Sequence, residues 1–152
     1  MGTLQHKTAL VTGALRGIGR ATASALADAG AHVLAHYVRS AQEEESLVSG
    51  IRSNGGRADA IRADLGTPDG ATLLATEVRP IVRARLDVLV GNAGITKALT
   101  VRYHTVKDFD NLFATNVRSP FFLVQQLLPL LGEGSNIIVI SSLGGPRGRW
   151  QA

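Results

Sequence analysis

Residues 7–21, KTALVTGALRGIGRA, constrain the fold of this chain more than any other stretch. A short apolar run, ALV, ends at Thr12, and three glycines follow at positions 13, 17 and 19. An Ala- and Leu-rich run typical of a helix comes next. In such a strand–turn–helix unit the glycines let a phosphate approach the main chain, and the helix N-terminus supplies unpaired N–H groups. The stretch therefore predicts a site for the pyrophosphate of a dinucleotide.

The composition favours one folded, soluble domain. The 152 residues suffice for a real core, with 45% hydrophobic and 18% charged residues. No apolar run approaches the roughly 18 residues of a membrane helix, and the N-terminus lacks the layout of a signal peptide. The absence of cysteine excludes disulfides and suits a cytoplasmic protein. The net charge of +4 comes from scattered arginines, so we expect neither a nucleic-acid nor a membrane partner.

Apolar strand patterns alternate along the chain with amphipathic helix patterns. We predict strands at 7–11, 31–37, 57–63, 86–90 and 136–140, and helices at 17–29, 41–53, 67–84 and 106–131. The last two strands are continuous apolar runs, which are typical of parallel strands buried on both faces. The alternation predicts right-handed βαβ units and a doubly wound α/β domain.

Prolines and threonines indicate where two of these helices begin and bend. Thr67 and Thr105 are predicted as N-caps. Pro80 predicts a break or kink within the third helix. Pro120 and Pro129 predict a bend and an early end for the fourth.

Taken together, these motifs resemble the short-chain dehydrogenase/reductase family over essentially the whole chain. Residues 12–19, TGALRGIG, match its TGxxxGxG turn. The further matches, in the family's order and spacing, are Asp64-Leu65, Gly91-Asn92-Ala93-Gly94, Asn116 and Ser141-Ser142. The sequence looks most like 3-oxoacyl carrier-protein reductases and related sugar or polyol dehydrogenases. The resemblance implies a Rossmann-type sheet of strand order 3-2-1-4-5 without the family's later strands, so we expect residues 1–152 to be one dinucleotide-binding domain, incomplete at its C-terminal end.

The resemblance also implies a cofactor role for a set of matched residues. They are Gly13, Gly17, Ile18 and Gly19 at the phosphates, Asp64 and Leu65 at the adenine, and Asn92, Ala93 and Gly94 at the nicotinamide-side ribose. Taken alone, Asp64 would be interpreted as a turn former or helix cap. The family usually has Asn where this chain has Gly91, so a role played there through the side chain is lost.

The residues near the second strand favour NADP(H) over NAD(H). An NAD site places a carboxylate at the end of that strand to accept from the ribose hydroxyls, and this chain has Tyr37 there. Arg16 and Arg39 could hold a 2′-phosphate through charge-assisted bonds, a pairing that accompanies NADP in the family. The alternative is that both arginines are merely solvated.

For catalysis, the resemblance implies that Ser142 orients the substrate oxygen and that Asn116 belongs to a proton relay. The alternatives are a turn or cap role for the serine and an exposed helix position for the asparagine. The family's proton donor is a Tyr, whose pKa is lowered by a Lys one helical turn later. Both should follow the serine by about a dozen residues or more, so we expect them outside these 152 residues.

One Tyr-x-x-x-Lys pattern does occur, at Tyr103 and Lys107, but it precedes Asn116 and Ser142 instead of following them. Tyr103 also comes before the predicted cap Thr105, so the two side chains need not share a helix face. We interpret this pattern as a chance match without a catalytic role.

No metal site is expected, because the histidines have no partners at ligand spacing. Two of them, His32 and His36, lie on the predicted second strand. We expect them to pack at a face or edge of the sheet.

Three hypotheses remain open. The first is an NADP-dependent short-chain oxidoreductase that acts on the carbonyl or alcohol of a small molecule, with this chain supplying cofactor binding. The second is a non-catalytic dinucleotide-binding module. The third, disfavoured by the full motif set, is another Rossmann enzyme such as a methyltransferase. Because a chain ending after the fifth strand leaves an unpaired edge, we also expect further chain or another copy to cover it, and a homo-oligomer.

Overall fold

The computed structural model describes residues 2–39, 41–82 and 84–142. At its centre is a parallel sheet whose strands run in the order β3-β2-β1-β4-β5. The strands are β1 (Thr8–Val11), β2 (His32–Tyr37), β3 (Arg57–Arg62), β4 (Val88–Gly91) and β5 (Asn136–Val139). The predicted doubly wound, Rossmann-type α/β fold and its strand order 3-2-1-4-5 are therefore confirmed.

The helices cover both faces of this sheet. They are α1 (Gly17–Asp28), α2 (Ala41–Ser53), α3 (Gly70–Val82), α4 (Val106–Phe113) and α5 (Ser119–Leu127). Alternate strand residues enter opposite layers, as the pleat requires. Val11 and Val33 pack in the layer that includes residues of α1 and α2, whereas Leu10 packs with residues of α3 and α5, such as Leu74 and Leu127.

Helix α3 begins later than its sequence predicts. It starts at Gly70, and Thr67 lies in the preceding turn, where its hydroxyl donates to the carbonyl of Asp64 at 2.8 Å. The prediction of Thr67 as the cap was therefore wrong, because its hydroxyl bonds backward to Asp64, at the start of the loop that follows β3. The break predicted at Pro80 does not occur, since α3 runs two residues beyond it to Val82. The proline removes one bond of the helical ladder, and the helix ends within a turn of it.

The helix predicted at 106–131 is divided into successive segments. Thr105 caps α4 as predicted, through a capping box with Asp108. A π-helical segment, Ala114–Arg118, follows before α5 begins, and a 3₁₀ turn at Leu128–Leu130 ends the run. The irregularity therefore comes just before Pro120, which lacks an N–H for the α-helical ladder.

Strand β5 forms where predicted but is not buried. Ile137, Ile138 and Val139 are 44%, 47% and 57% exposed. The prediction of burial was wrong because, in the described part of the chain, β5 is the outermost strand and pairs only with β4.

Among the described residues, no helix combines the length and the apolar character that crossing a bilayer requires. The same residues do not bring three His, Cys, Asp or Glu side chains together at metal-binding distance.

Candidate cofactor and active site

The glycine turn lies at the carboxyl end of β1. Gly13 and Gly17 have φ values of +63° and +53°, which disfavour a side chain. A Cβ on Gly19 would lie 2.2 Å from the carbonyl oxygen of Gly13, so α1 begins directly against the turn. A Cβ on Gly17 would meet nothing within 4 Å, which leaves open space beside the turn. Helix α1 has no side-chain cap at Arg16, so its positive end is open to an anion.

Thr12 and Asn92 lock the ends of β1 and β4 together. The Thr12 hydroxyl donates to the carbonyl of Val90 at 3.3 Å and accepts from the N–H groups of Asn92 and Ala93, both at 2.9 Å. The Asn92 amide donates to the carbonyls of Thr12 and Gly13 at 2.9 and 3.1 Å. The loop holding Asn92, Ala93 and Gly94 is therefore fixed relative to the glycine turn.

His36 is a site residue that the sequence patterns did not identify. It is fully buried on β2, and its Nδ1 accepts a hydrogen bond from the N–H of Gly13 at 3.1 Å. Its Nε2 lies 3.0 Å from the carbonyl oxygen of Ala63 and donates to it in the corresponding tautomer. Burial lowers the pKa of His36 to about 4, so the ring is neutral at neutral pH. A polar residue inside an apolar strand, one position before Tyr37, was the available signal.

The ends of β2 and β3 form a second open region, a cleft of about 410 Å³ lined by Val38, Arg39, Arg62, Ala63 and Asp64. Tyr37 pairs in register with Arg62 across the two strands. Asp64 Oδ1 accepts from the N–H of Gly66 at 2.9 Å, so this carboxylate does form a turn. Leu65, the next residue, is buried and lines the cleft on the other side of the loop. Arg62 was not among the predicted site residues.

The loops after β4 and β5 enclose a cleft of about 370 Å³ together with the π-helical segment. It brings together six of the predicted residues, which are Leu65, Asn92, Ala93, Gly94, Asn116 and Ser142. Asn116 is held by two bonds of 2.9 Å, because its amide donates to the carbonyl of Ile95 and its Oδ1 accepts from the N–H of Ile95. The Asn116 side chain therefore fixes the loop that forms one wall of the cleft.

Among the described residues, Arg16, Ile18 and Tyr103 line neither cleft, whereas Gly91 lines the one that contains Ser142. Arg16 and Ile18 are exposed at the start of α1, beside the glycine turn. Tyr103 lies in a 3₁₀ turn before the cap Thr105, is 66% exposed, and is not part of the described lining around Ser142. At Gly91 a Cβ would meet Ile138 at an ordinary 3.7 Å, so nothing in the structure explains the glycine there.

The sequence is similar to fungal reductases. Residues 7–152 match the family model for short chain dehydrogenases. Versicolorin reductase stcU of Emericella nidulans is 42% identical over 139 residues, which are 91% of this chain and 52% of that protein. Trihydroxynaphthalene reductase of Colletotrichum orbiculare is 36% identical over 143 residues, 94% of this chain and 50% of that protein. The chain thus spans about half the length of the curated relatives it matches.

Solved structures of similar proteins share this fold. The landomycin C-6 ketoreductase LanV, with bound NADP and rabelomycin, superposes with a TM-score of 0.89 at 39% identity, covering 95% of this chain and 63% of LanV. A short chain dehydrogenase from Burkholderia cenocepacia in complex with NADP gives a TM-score of 0.87 at 40% identity, covering 92% of this chain and 57% of that one. This chain belongs to the short-chain dehydrogenase family.

Proposed function

We propose that this chain binds NADP(H) and is the cofactor-binding part of an oxidoreductase. The enzyme would interconvert a carbonyl and an alcohol on a small molecule. The observation that carries the proposal is the glycine turn, where two glycines have positive φ and the uncapped helix end faces open space. These features fit a pyrophosphate, which needs a close backbone approach and a positive dipole. Bound nicotinamide would supply or accept the hydride.

The remaining site residues take roles that fit their positions. Gly13, Gly17, Ile18 and Gly19 would surround the phosphates, Asp64 and Leu65 the adenine, and Asn92, Ala93 and Gly94 the nicotinamide-side ribose. Ser142 lines the cleft of about 370 Å³ between the loops after β4 and β5, here named the central cleft, where its hydroxyl would orient the substrate oxygen. Asn116 lines the same cleft and would belong to the proton relay. Its two bonds to Ile95 would hold the loop that forms one wall of the cleft.

A preference for NADP(H) over NAD(H) is part of the proposal. Tyr37 ends β2 where a carboxylate would repel a 2′-phosphate, and Arg39 follows in the adjoining cleft. Arg16 stands at the start of α1, within the glycine turn. The NADP bound to similar solved proteins supports the same choice.

We further propose a cytoplasmic homo-oligomer. Phe109 and Phe113 stack at 4.2 Å on α4 and are about half exposed, as is β5, so large apolar side chains face outward. The absence of cysteine suits a reducing compartment. Light scattering of the purified protein tests the oligomer, and a monomer at micromolar concentration would contradict it.

The cofactor proposal is tested by titrating the protein with NADPH and NADH and measuring each dissociation constant by calorimetry. We expect NADPH to bind at least tenfold more tightly. Failure to bind either dinucleotide would overturn the proposal, and equal affinities would overturn the cofactor preference. Binding without turnover of any carbonyl or alcohol by the intact protein would favour the alternative, a non-catalytic dinucleotide-binding module.

A further inference from the structure

We propose that Arg62 is a third contact for the 2′-phosphate of NADP(H) and helps to select it against NAD(H). The inference rests on the proposed function and adds a residue that lies outside the sequence motifs described above. It follows from where the sheet places three arginines, and from the bond that holds one of them.

The carboxyl ends of three adjacent strands each lead to an arginine. Because the order is β3-β2-β1, Arg62 at the end of β3, Arg39 after β2 and Arg16 after β1 lie along one edge of the sheet. Arg62 pairs in register with Tyr37, the last residue of β2. Arg39 and Arg62 line the same cleft of about 410 Å³.

Arg62 is positioned by one hydrogen bond. Its Nε donates to the carbonyl of Val38 at 3.2 Å, which draws the side chain over the end of β2. Among the described residues, no carboxylate lies within ion-pair distance of its guanidinium, whereas Arg52 pairs with Asp59 and Arg85 with Asp87. The two terminal nitrogens of Arg62 are thus available to an anion.

The charge of the cleft favours a phosphate. Its lining carries two arginines and one carboxylate, Asp64, whose Oδ1 is already engaged by the N–H of Gly66. A phosphate monoester carries nearly two negative charges at neutral pH and offers oxygens to the planar guanidinium fork. The ribose hydroxyl of NAD(H) offers neither, so Arg62 discriminates between the two cofactors.

The experiment compares Arg62→Gln with Arg57→Gln. Both residues belong to β3 and are exposed, but Arg57 stands at the opposite end of the strand, so the control removes the same charge far from the cleft. We expect R62Q to weaken NADPH binding about ten- to hundredfold. NADH binding should change less than about twofold, and R57Q should leave both affinities unchanged.

The outcomes that would overturn the role of Arg62 differ from the one that would overturn dinucleotide binding. If R62Q weakens NADPH and NADH equally, Arg62 only supports the loop at Val38 and the inference is overturned. If Arg39→Gln weakens NADPH binding but R62Q does not, the inference fails while the NADP proposal stands. In R62Q, 2′-AMP should also compete less well with NADPH, whereas competition by 5′-AMP should not change. If the affinity for 2′-AMP is unchanged, the inference is overturned too. If the unaltered protein binds no dinucleotide, the proposed function itself fails.

Discussion

The imidazole of His36 and the backbone N–H of Gly13 lie 3.1 Å apart, and the ring nitrogen is the acceptor. Because that nitrogen accepts, the proton resides on Nε2, which donates to the carbonyl of Ala63. One buried side chain of β2 thus ties the turn after β1 to the end of β3. The phosphate-binding and adenine-binding ends of the proposed cofactor site are fixed relative to each other by this residue.

This arrangement predicts that stability falls in mild acid. The pKa of His36 is lowered from 6.5 to about 4 by burial, so the unfolded chain takes up the proton first as the pH drops. The contribution of neutral, buried His36 to the free energy of unfolding is therefore fully present above pH 6.5 and is lost as the pH falls toward 4. Integrating that shift gives about 2–3 kcal/mol between pH 7.5 and pH 4.5.

Urea unfolding of the protein and of His36→Gln at both pH values measures this loss. Glutamine retains a donor and an acceptor but does not titrate, so the variant should lose less stability on acidification by roughly that amount. The same loss in both proteins would show that another group is responsible.

Gly19→Ala should damage the glycine turn. The new Cβ would lie 2.2 Å from the Gly13 carbonyl oxygen and 2.5 Å from the Asn92 amide nitrogen, and neither can yield without breaking the lock between β1 and β4. We expect a loss of about 1–3 kcal/mol in unfolding free energy.

Gly50→Ala is the matched control. Gly50 lies in α2, is exposed, and a Cβ there meets nothing within 4 Å. Since alanine favours a helix interior, this variant should gain about 0.5–1 kcal/mol. Equal effects of the two substitutions in thermal and urea unfolding would contradict the close contact at Gly19.

Thr12→Val should destabilise the protein although it preserves the side-chain shape. The buried hydroxyl accepts from the N–H groups of Asn92 and Ala93, and valine would leave the Ala93 group without that acceptor. The expected cost is about 1–3 kcal/mol in unfolding free energy. Thr12→Ser keeps the hydroxyl and should recover most of it; a serine variant as unstable as the valine variant would indicate lost methyl packing instead.

Asn116→Ala should release the loop at Ile95. The substitution removes both 2.9 Å bonds to the Ile95 backbone, and hydrogen exchange of that amide should accelerate about tenfold or more. Asn111→Ala, at an exposed position of α4 in the same helical run, is the control and should leave the Ile95 exchange rate unchanged. Unchanged exchange in the Asn116 variant would mean that the loop is held by other contacts.

The sheet was predictable from local patterns because buried parallel strands and their glycine turns have strong local signals. The run ALV before Thr12 and the run LDVLV at 86–90 both became central strands. Thr105 was predictable as a cap because its bonds reach only to Asp108. Thr67 was not, since whether its hydroxyl bonds forward or back to Asp64 depends on the path of the loop.

Features that depend on distant neighbours were missed. The exposure of β5 depends on its place at the sheet edge, which its apolar sequence does not encode. The role of His36 depends on Gly13, 23 residues away in the sequence, and on Ala63, 27 away. Arg62 was overlooked because its significance comes from the register of β3 with β2.

The π-helical segment between α4 and α5 changes the direction in which side chains project from the helix. An α-helix advances about 100° per residue, so the one extra residue held in a wide turn shifts the phase of the helix by roughly that angle. Residues of α4 and α5 that would share a stripe on an uninterrupted helix therefore point in different directions. Deleting Thr115 would restore a regular helix and rotate Asn116 by about 100° relative to α4, away from Ile95. The geometry of the central cleft thus depends on the exact number of residues in this segment, and not only on their identity.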